Sequence, residues 1–376
     1  MTSTTAFSRR GFTKIFGAGA AYAALRPSLG FGAATFTPLE GPKKTAAVVR
    51  LSSNENPYGP SLAALEAMTA AFGLAWRYPD EYADMLVEDL AKLHGVAVDY
   101  ILPGDGSGEI LKLSAAAFTN PQKKIVIANP TFEAIARHAG MAQAQVVKIN
   151  LARDYSHDLP RMLAAANDAG LVYICNPNNP TASITPKNDI RAFLTNVPRQ
   201  TIVLIDEAYH HYVETSDYES VIPLVKNHPN LIVARTFSKI YGMAGLRCGY
   251  CVTQPANVKL MQVQQVFDSV NIMALVAARA GLKDTEHVAQ GRRSNNEVKQ
   301  YVYAELEKFG YQYVPSQANF MMIDLRREVR PVIKAMADHG VEVGRVFPPL
   351  PNFMRVTIGT RPQMESFISA FRTVMA

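Results

Sequence analysis

Cysteine is scarce in this chain, tryptophan scarcer, and long apolar runs are missing. Three cysteines in 376 residues (Cys175, Cys248 and Cys251) are too few and too widely placed for a disulfide framework. No stretch reaches the ~18–20 continuous apolar residues that span a bilayer, so neither a mature transmembrane helix nor a stable membrane anchor is expected. The eight histidines show no metal-ligand spacing, so no metal site is predicted. Repeats and low-complexity tracts are also lacking. Hydrophobic residues make up 48% and charged residues 19%, which excludes a disordered or collagen-like chain. At about 150 residues per domain, the length supplies two to three domains' worth of chain and a large core.

A net charge of +6 invites the thought of nucleic acid, but its distribution argues otherwise. Residues 1–34 hold Arg9, Arg10, Lys14 and Arg26 and no acid, which is +4 and leaves +2 for the rest. No basic block interleaved with aromatics occurs there, so no nucleic-acid partner is expected. The basic segment has its own pattern. Ser8-Arg9-Arg10-Gly11-Phe12-Thr13-Lys14 precedes a weakly apolar run from Ile15 to Leu25 and then small residues. Such a sequence resembles a twin-arginine signal peptide, with cleavage after Ala34 expected and the twin-arginine export machinery as a partner. A periplasmic or secreted protein follows, carried across already folded.

Beyond an extended, Pro- and Gly-rich arm at 35–60, short β-branched runs alternate with helical stretches. Strands are predicted at Ile125–Ala128, Gln145–Ile149, Leu171–Cys175, Thr201–Ile205, Leu231–Arg235 and Gly249–Thr253. Their nearly continuous apolar character fits a mostly parallel sheet buried on both faces, hence an α/β architecture. Helices are predicted at Leu159–Ala169 and Asp189–Asn196. After about residue 265 the texture changes. One long helix is predicted from Ala256 to Gly281 and another from Val288 to Phe309, then strands near Asn319–Asp324 and Met354–Ile358 with a helix between. The reading is a large domain over 61–265 and a smaller α+β domain over 266–376.

Four clusters stand where strands end. Gly104-Asp105-Gly106-Ser107-Gly108-Glu109 is a glycine-rich turn entering a helix, whose free N–H groups suit an anion. Asn176-Pro177-Asn178-Asn179-Pro180-Thr181 marks a sharp turn after an apolar strand. Ile205-Asp206-Glu207-Ala208-Tyr209 places a carboxylate at a strand end, where burial demands a partner. Arg235-Thr236-Phe237-Ser238-Lys239, followed by Arg247, gathers hydroxyls, a lysine and an arginine, which together suit a phosphate. Each cluster alone reads equally well as a turn, a cap or a surface charge. Their conjunction is what carries weight.

Together they resemble the fold-type I pyridoxal-phosphate enzymes, within them the class I/II aminotransferases, and most closely the histidinol-phosphate aminotransferase branch. The resemblance runs from Ser53-Asn54-Glu55-Asn56-Pro57-Tyr58-Gly59 to Arg355-Val356-Thr357-Ile358-Gly359-Thr360. Spacings of 27 residues from Asn179 to Asp206 and 33 from Asp206 to Lys239 agree with it. It implies pyridoxal 5'-phosphate as cofactor, an α-amino acid and a 2-oxo acid as substrates, and a homodimer. Lys239 would bind the cofactor covalently and move the proton, Asp206 would face its ring nitrogen, and Asn179 and Tyr209 its phenolic oxygen. Thr236, Ser238, Arg247 and the N–H groups of Ser107 and Gly108 would hold its phosphate. Phe132 would stack on the ring, and Tyr78 would reach the phosphate in the neighbouring subunit. Arg355 would bind the substrate carboxylate, with Asn56 and Arg345 as further substrate contacts.

The chain departs from that branch in three places. Ala182 stands where the family turn has glycine, the arm offers no clear substrate-gripping tyrosine, and a second arginine downstream of Arg355 is replaced near Ser366. The last two, and export, argue against histidinol phosphate as substrate. An oxidase, decarboxylase or other lyase on the same scaffold, and a non-catalytic binding protein that keeps the fold, remain open at this point. Cys248 and Cys251, three apart on a predicted strand, point to opposite faces and are structural. His210 and His211 are expected as a partly exposed pair.

Overall fold

The computed structural model describes residues 48–376. The signal read at 1–34, its cleavage site and the first part of the arm lie outside the described residues. The N-terminal part holds β1 (Val49–Arg50), α1 (Leu62–Ala71), α2 (Asp80–His94), β2 (Ile101–Gly104), α3 (Gly106–Phe118), β3 (Lys124–Asn129) and α4 (Ala134–Met141). Next come β4 (Val146–Asn150), α5 (Leu159–Ala165), β5 (Ala169–Cys175), α6 (Lys187–Asn196), β6 (Ile202–Asp206), β7 (Leu231–Thr236) and β8 (Gly249–Thr253). Then follow α7 (Pro255–Gln262), α8 (Ile272–Lys283), α9 (Thr285–Lys308), β9 (Gln312–Val314) and β10 (Phe320–Asp324). The chain closes with α10 (Val329–Asp338), β11 (Val341–Glu342), β12 (Phe353–Thr357) and α11 (Arg361–Met375).

Seven strands form one sheet in the order β2-β8-β7-β6-β5-β3-β4. Only β8 runs against its neighbours; the other pairings are parallel. Strands β5, β6 and β7 are buried from end to end, because helices cover both faces. The two-residue period of a strand divides them between two cores. Val172, Ile174, Val203, Ile205 and Val233 enter one, and Leu171, Tyr173, Leu204, Ile232 and Ala234 the other. The six predicted strands are present with ends shifted by at most two residues. Strand β2 escapes the sequence pattern: Ile101-Leu102-Pro103-Gly104 is short, and its conformation comes from antiparallel pairing with β8.

A second sheet, β12-β10-β9, is antiparallel, and β1 pairs with β11 beside it. Val302, Leu306, Met321, Val356, Phe367 and Phe371 form the core between this sheet and helices α9 and α11. The single helix expected over 256–281 is two helices. Asn271 caps the second, its side chain accepting from the Ala274 N–H at 2.9 Å, and Asp268 just before it adopts a left-handed φ of 52°. Ala274, Leu275, Ala277 and Ala278 of α8 join the core of the large sheet, although they lie beyond residue 265. Among the described residues no helix is long and apolar enough to cross a membrane, and no cluster of His, Cys, Asp and Glu is placed to hold a metal ion.

Parallel strands β5, β6 and β7 end side by side at Cys175, Asp206 and Thr236. Open α/β sheets bind ligands just beyond such carboxyl ends.

Candidate active site

A cavity of about 320 Å³ opens at these strand ends. Lys239, Asp206, Tyr209 and Asn179 line its floor, Ser107, Gly108, Thr236, Ser238 and Arg247 one end, and Arg345, Phe347 and Arg355 the other. Phe132, half exposed, forms part of the wall. Residues from widely separated stretches of chain thus meet in one place.

Strand alternation aims the charged floor. Asp206 and Thr236 continue the face of Leu204 and Ala234, whereas Glu207 and Arg235 point to the opposite one. There Glu207 and Arg235 form a buried ion pair at 2.7 Å, which Ser220 joins. On the cavity side, Asp206 Oδ2 accepts from the Tyr173 hydroxyl at 2.9 Å and Oδ1 from the Ala208 N–H at 3.1 Å. Burial pushes the Asp206 carboxyl up to about 6, against the hydrogen bonds from Tyr173 and Ala208 and the charge of Lys239. Lys239 Nζ donates to the Asn54 carbonyl at 3.1 Å. Burial foremost, then the Arg355 charge, brings Lys239 down to about 8. An amine so tuned has a sizeable neutral, and hence nucleophilic, minority near physiological pH.

The first cavity end is built to receive an anion. Helix α3 begins without a side-chain cap, so the N–H groups of its first turn are left for a ligand. Arg247 Nη1 donates to Ser238 Oγ at 3.3 Å and Nη2 to the Asp105 carbonyl at 3.4 Å, placing its charge against that helix start. Two glycines make the approach possible. A Cβ on Gly106, whose φ is +71°, would lie 2.1 Å from Arg247 Nη2, and one on Gly249 would lie 2.4 Å from the Ser107 nitrogen.

At the other end Arg355 Nη1 donates to Asn179 Oδ1 and Nη2 to the Ser52 carbonyl, both at 2.8 Å. Its guanidinium lies 5.1 Å and 5.6 Å from the ring centres of Phe347 and Phe320. Arg345 pairs with Glu133 at 2.7 Å at the exposed cavity mouth. The second arginine at this end of the cavity is Arg345. Ser366, where a replaced arginine was sought, is exposed on α11 with its hydroxyl bonded to the Pro362 carbonyl.

Other expected residues lie elsewhere. Asn56 lines a neighbouring cavity and spends its amide on the Ile240 carbonyl at 2.8 Å. Tyr78 is 82% exposed, away from this chain's own cavity. His210 and His211 line a separate cavity with His94 and Arg235, and burial, then the Arg235 charge, push the imidazoles of His210 and His211 well below their ordinary range. Sequence reasoning passed over Asn54, Tyr173 and Glu133. Asn54 sits in the quoted arm motif and has a left-handed φ of 54°. It bonds Lys239 through its carbonyl, Tyr209 through its amide and Thr357 through its N–H, so it ties both sheets to the cavity. The signal for Asn54 was the arm motif itself, and Tyr173 belongs to the apolar strand that leads into the Asn-Pro cluster, without a role of its own there; Glu133 carried none.

The family model for aminotransferase class I and II matches residues 46–371. The chain belongs to the class I and II aminotransferases. Relatives of this aminotransferase include the histidinol-phosphate aminotransferase of Moorella thermoacetica, 42% identical over 88% of this chain and 86% of that one. The enzyme of the same name from Symbiobacterium thermophilum is 40% identical over 87% and 91%. Among solved structures, the histidinol-phosphate aminotransferase of Sinorhizobium meliloti, in complex with pyridoxal-5'-phosphate, superposes with a TM-score of 0.83 at 27% identity, covering 88% of this chain and 90% of that one. The fold is the fold-type I α/β fold, and the protein is an enzyme that transfers amino groups with pyridoxal phosphate. The residues present fit that cofactor. The aminotransferase offers an uncapped helix start, two hydroxyls and Arg247 for a phosphate, a buried carboxylate for a ring cation and an amine at reduced pKa for an aldehyde.

Proposed function

We propose that this aminotransferase takes its amino group from a small amino compound whose anionic group Arg355 grips, and returns it to a 2-oxo acid. The single observation that carries the reading is the meeting of Lys239, Asp206, Tyr209 and Arg355 around one cavity. When bound, pyridoxal phosphate supplies an electron sink for the pair left behind when substrate Cα loses its proton. Asp206 would hold a proton at the ring nitrogen, strengthening that sink. Tyr209 and Asn179 would give hydrogen bonds to the phenolic oxygen. Lys239 Nζ would bind the cofactor's aldehyde and, as a free neutral amine, would take the proton from substrate Cα. Arg355, with Asn179 beside it, would orient the substrate anion and so decide which Cα bond is presented to Lys239.

Arg345 stands at the mouth to receive a second anion, in exchange for Glu133. The two relatives' names specify histidinol phosphate; Arg355 beside the aromatic Phe347 offers this chain a place for one anionic group of such an amine. A donor panel read by the cofactor's absorption tests this. Amines bearing a carboxylate or phosphate should convert the cofactor to its aminated form, and Lys239→Ala should abolish turnover. Conversion by anion-free amines at equal rate would sink it.

The homodimer is supported by the exposure of Trp76 and Tyr78, aromatics that a second copy would cover. Export rests on the Ser8–Lys14 pattern. Cell fractionation checks it: mature enzyme confined to the cytoplasm would exclude the signal.

A further inference from the structure

Tyr173 is fully buried in the middle of the sheet, between Ile127 of β3 and Leu204 of β6. An apolar residue would satisfy that position, and a phenol there costs free energy unless its hydroxyl is bonded. The ring faces the same side as Cys175, and its hydroxyl reaches diagonally across to Asp206 Oδ2 at 2.9 Å. With Oδ1 held by the Ala208 N–H, the carboxylate is gripped at both oxygens and its plane is fixed. Donors to a carboxylate favour its charged form, which burial alone would disfavour.

We infer that Tyr173 is a positioning residue of this aminotransferase, its phenol keeping Asp206 ionised and oriented so that the carboxylate can hold a proton on the cofactor's ring nitrogen. The inference rests on the reading of Asp206 as the ring-nitrogen partner. The titratable groups whose charges act on Asp206 are Tyr173 and Cys175 from β5, Tyr209 on its own segment, Glu207 on the opposite face, Lys239 beyond β7 and Tyr218. Lys239 opposes the effect of burial in the same direction as Tyr173, while Glu207 acts with burial. Tyr173→Phe removes one oxygen atom and leaves the charged groups around Asp206 in place.

The experiment is a pH titration of the cofactor-free protein labelled with aspartate carrying carboxyl ¹³C, the Asp206 signal being assigned by its loss in Asp206→Asn. In Tyr173→Phe the Asp206 midpoint should rise by about one to two pH units, the worth of a hydrogen bond to a charged group. A second arm places 3,5-difluorotyrosine at 173, a stronger donor of the same shape, and should move the midpoint down. In the loaded enzyme Tyr173→Phe should lower kcat by roughly tenfold with little change in KM, as one pKa unit of lost ring protonation implies. A midpoint unmoved in both arms, with Asp206→Asn inactive, overturns the role of Tyr173 alone. Full turnover by Asp206→Asn would instead overturn the reading of Asp206.

Discussion

Lys239 and Arg355 show how two side chains share one electrostatic problem. Arg355 must carry positive charge to bind the substrate anion, and that charge helps to bring Lys239 down to about 8. Borohydride trapping of pyridoxal phosphate on the cofactor-free protein should therefore accelerate as pH rises through about 8, since only the neutral amine attacks. In Arg355→Met the midpoint of that profile should move upward, and KM for the amino substrate should rise roughly ten- to hundredfold, as loss of a charge-assisted pair implies. A profile unchanged by the substitution would detach Arg355 from Lys239. The same lowered pKa has a stability signature. Between about 8 and the ordinary lysine value the unfolded chain binds more protons, so the cofactor-free protein should gain stability as pH rises through that window. Ala182 adds a smaller residue-scale cost, with a φ of 59° where glycine would be unstrained and its methyl buried in the core.

Helix α3 is the element that turns sequence into an anion site. Its first turn has no side-chain cap, and Gly106 lets Arg247 lie against it. Gly106→Ala places a Cβ within 2.1 Å of Arg247 Nη2 and forces a methyl-bearing residue to φ +71°. Backbone strain of about 1–2 kcal/mol should destabilise the fold, and displacement of Arg247 should weaken pyridoxal phosphate binding by roughly tenfold or more. Calorimetry and equilibrium titration measure the two separately. Loss of stability with undiminished cofactor affinity would show that Arg247 does not hold the phosphate. Elements also explain what escaped the linear pattern. Strand β2 exists because β8 pairs with it, and the helix expected over 256–281 breaks where Asn271 caps a new start.

At the scale of the molecule, the single tryptophan is a built-in reporter. Trp76 is 75% exposed, two residues from Tyr78. If a second copy covers this surface, Trp76 emission should shift to the red on dilution while the sedimenting mass halves. Tyr78→Phe should weaken cofactor binding in the dimer without altering the melting of the cofactor-free protein. Emission independent of concentration in an enzyme of constant mass would remove Trp76 from any interface.

The strands were legible because both faces of β5, β6 and β7 are buried, and burial leaves apolar runs that any reading detects. Lys239, Asp206, Asn179 and Arg247 were legible because reactive side chains at strand ends stand out against such runs. The resemblance assigned their roles. Tertiary structure alone decided the partners. Asn54 meets Thr357 across 303 residues, Tyr173 meets Asp206 between strands, and Arg345 rather than a residue near 366 reaches the cavity. Local composition sets which segments become strands and helices. Hydrogen bonds between distant residues depend on how those segments pack, and no spacing along the chain encodes that distance.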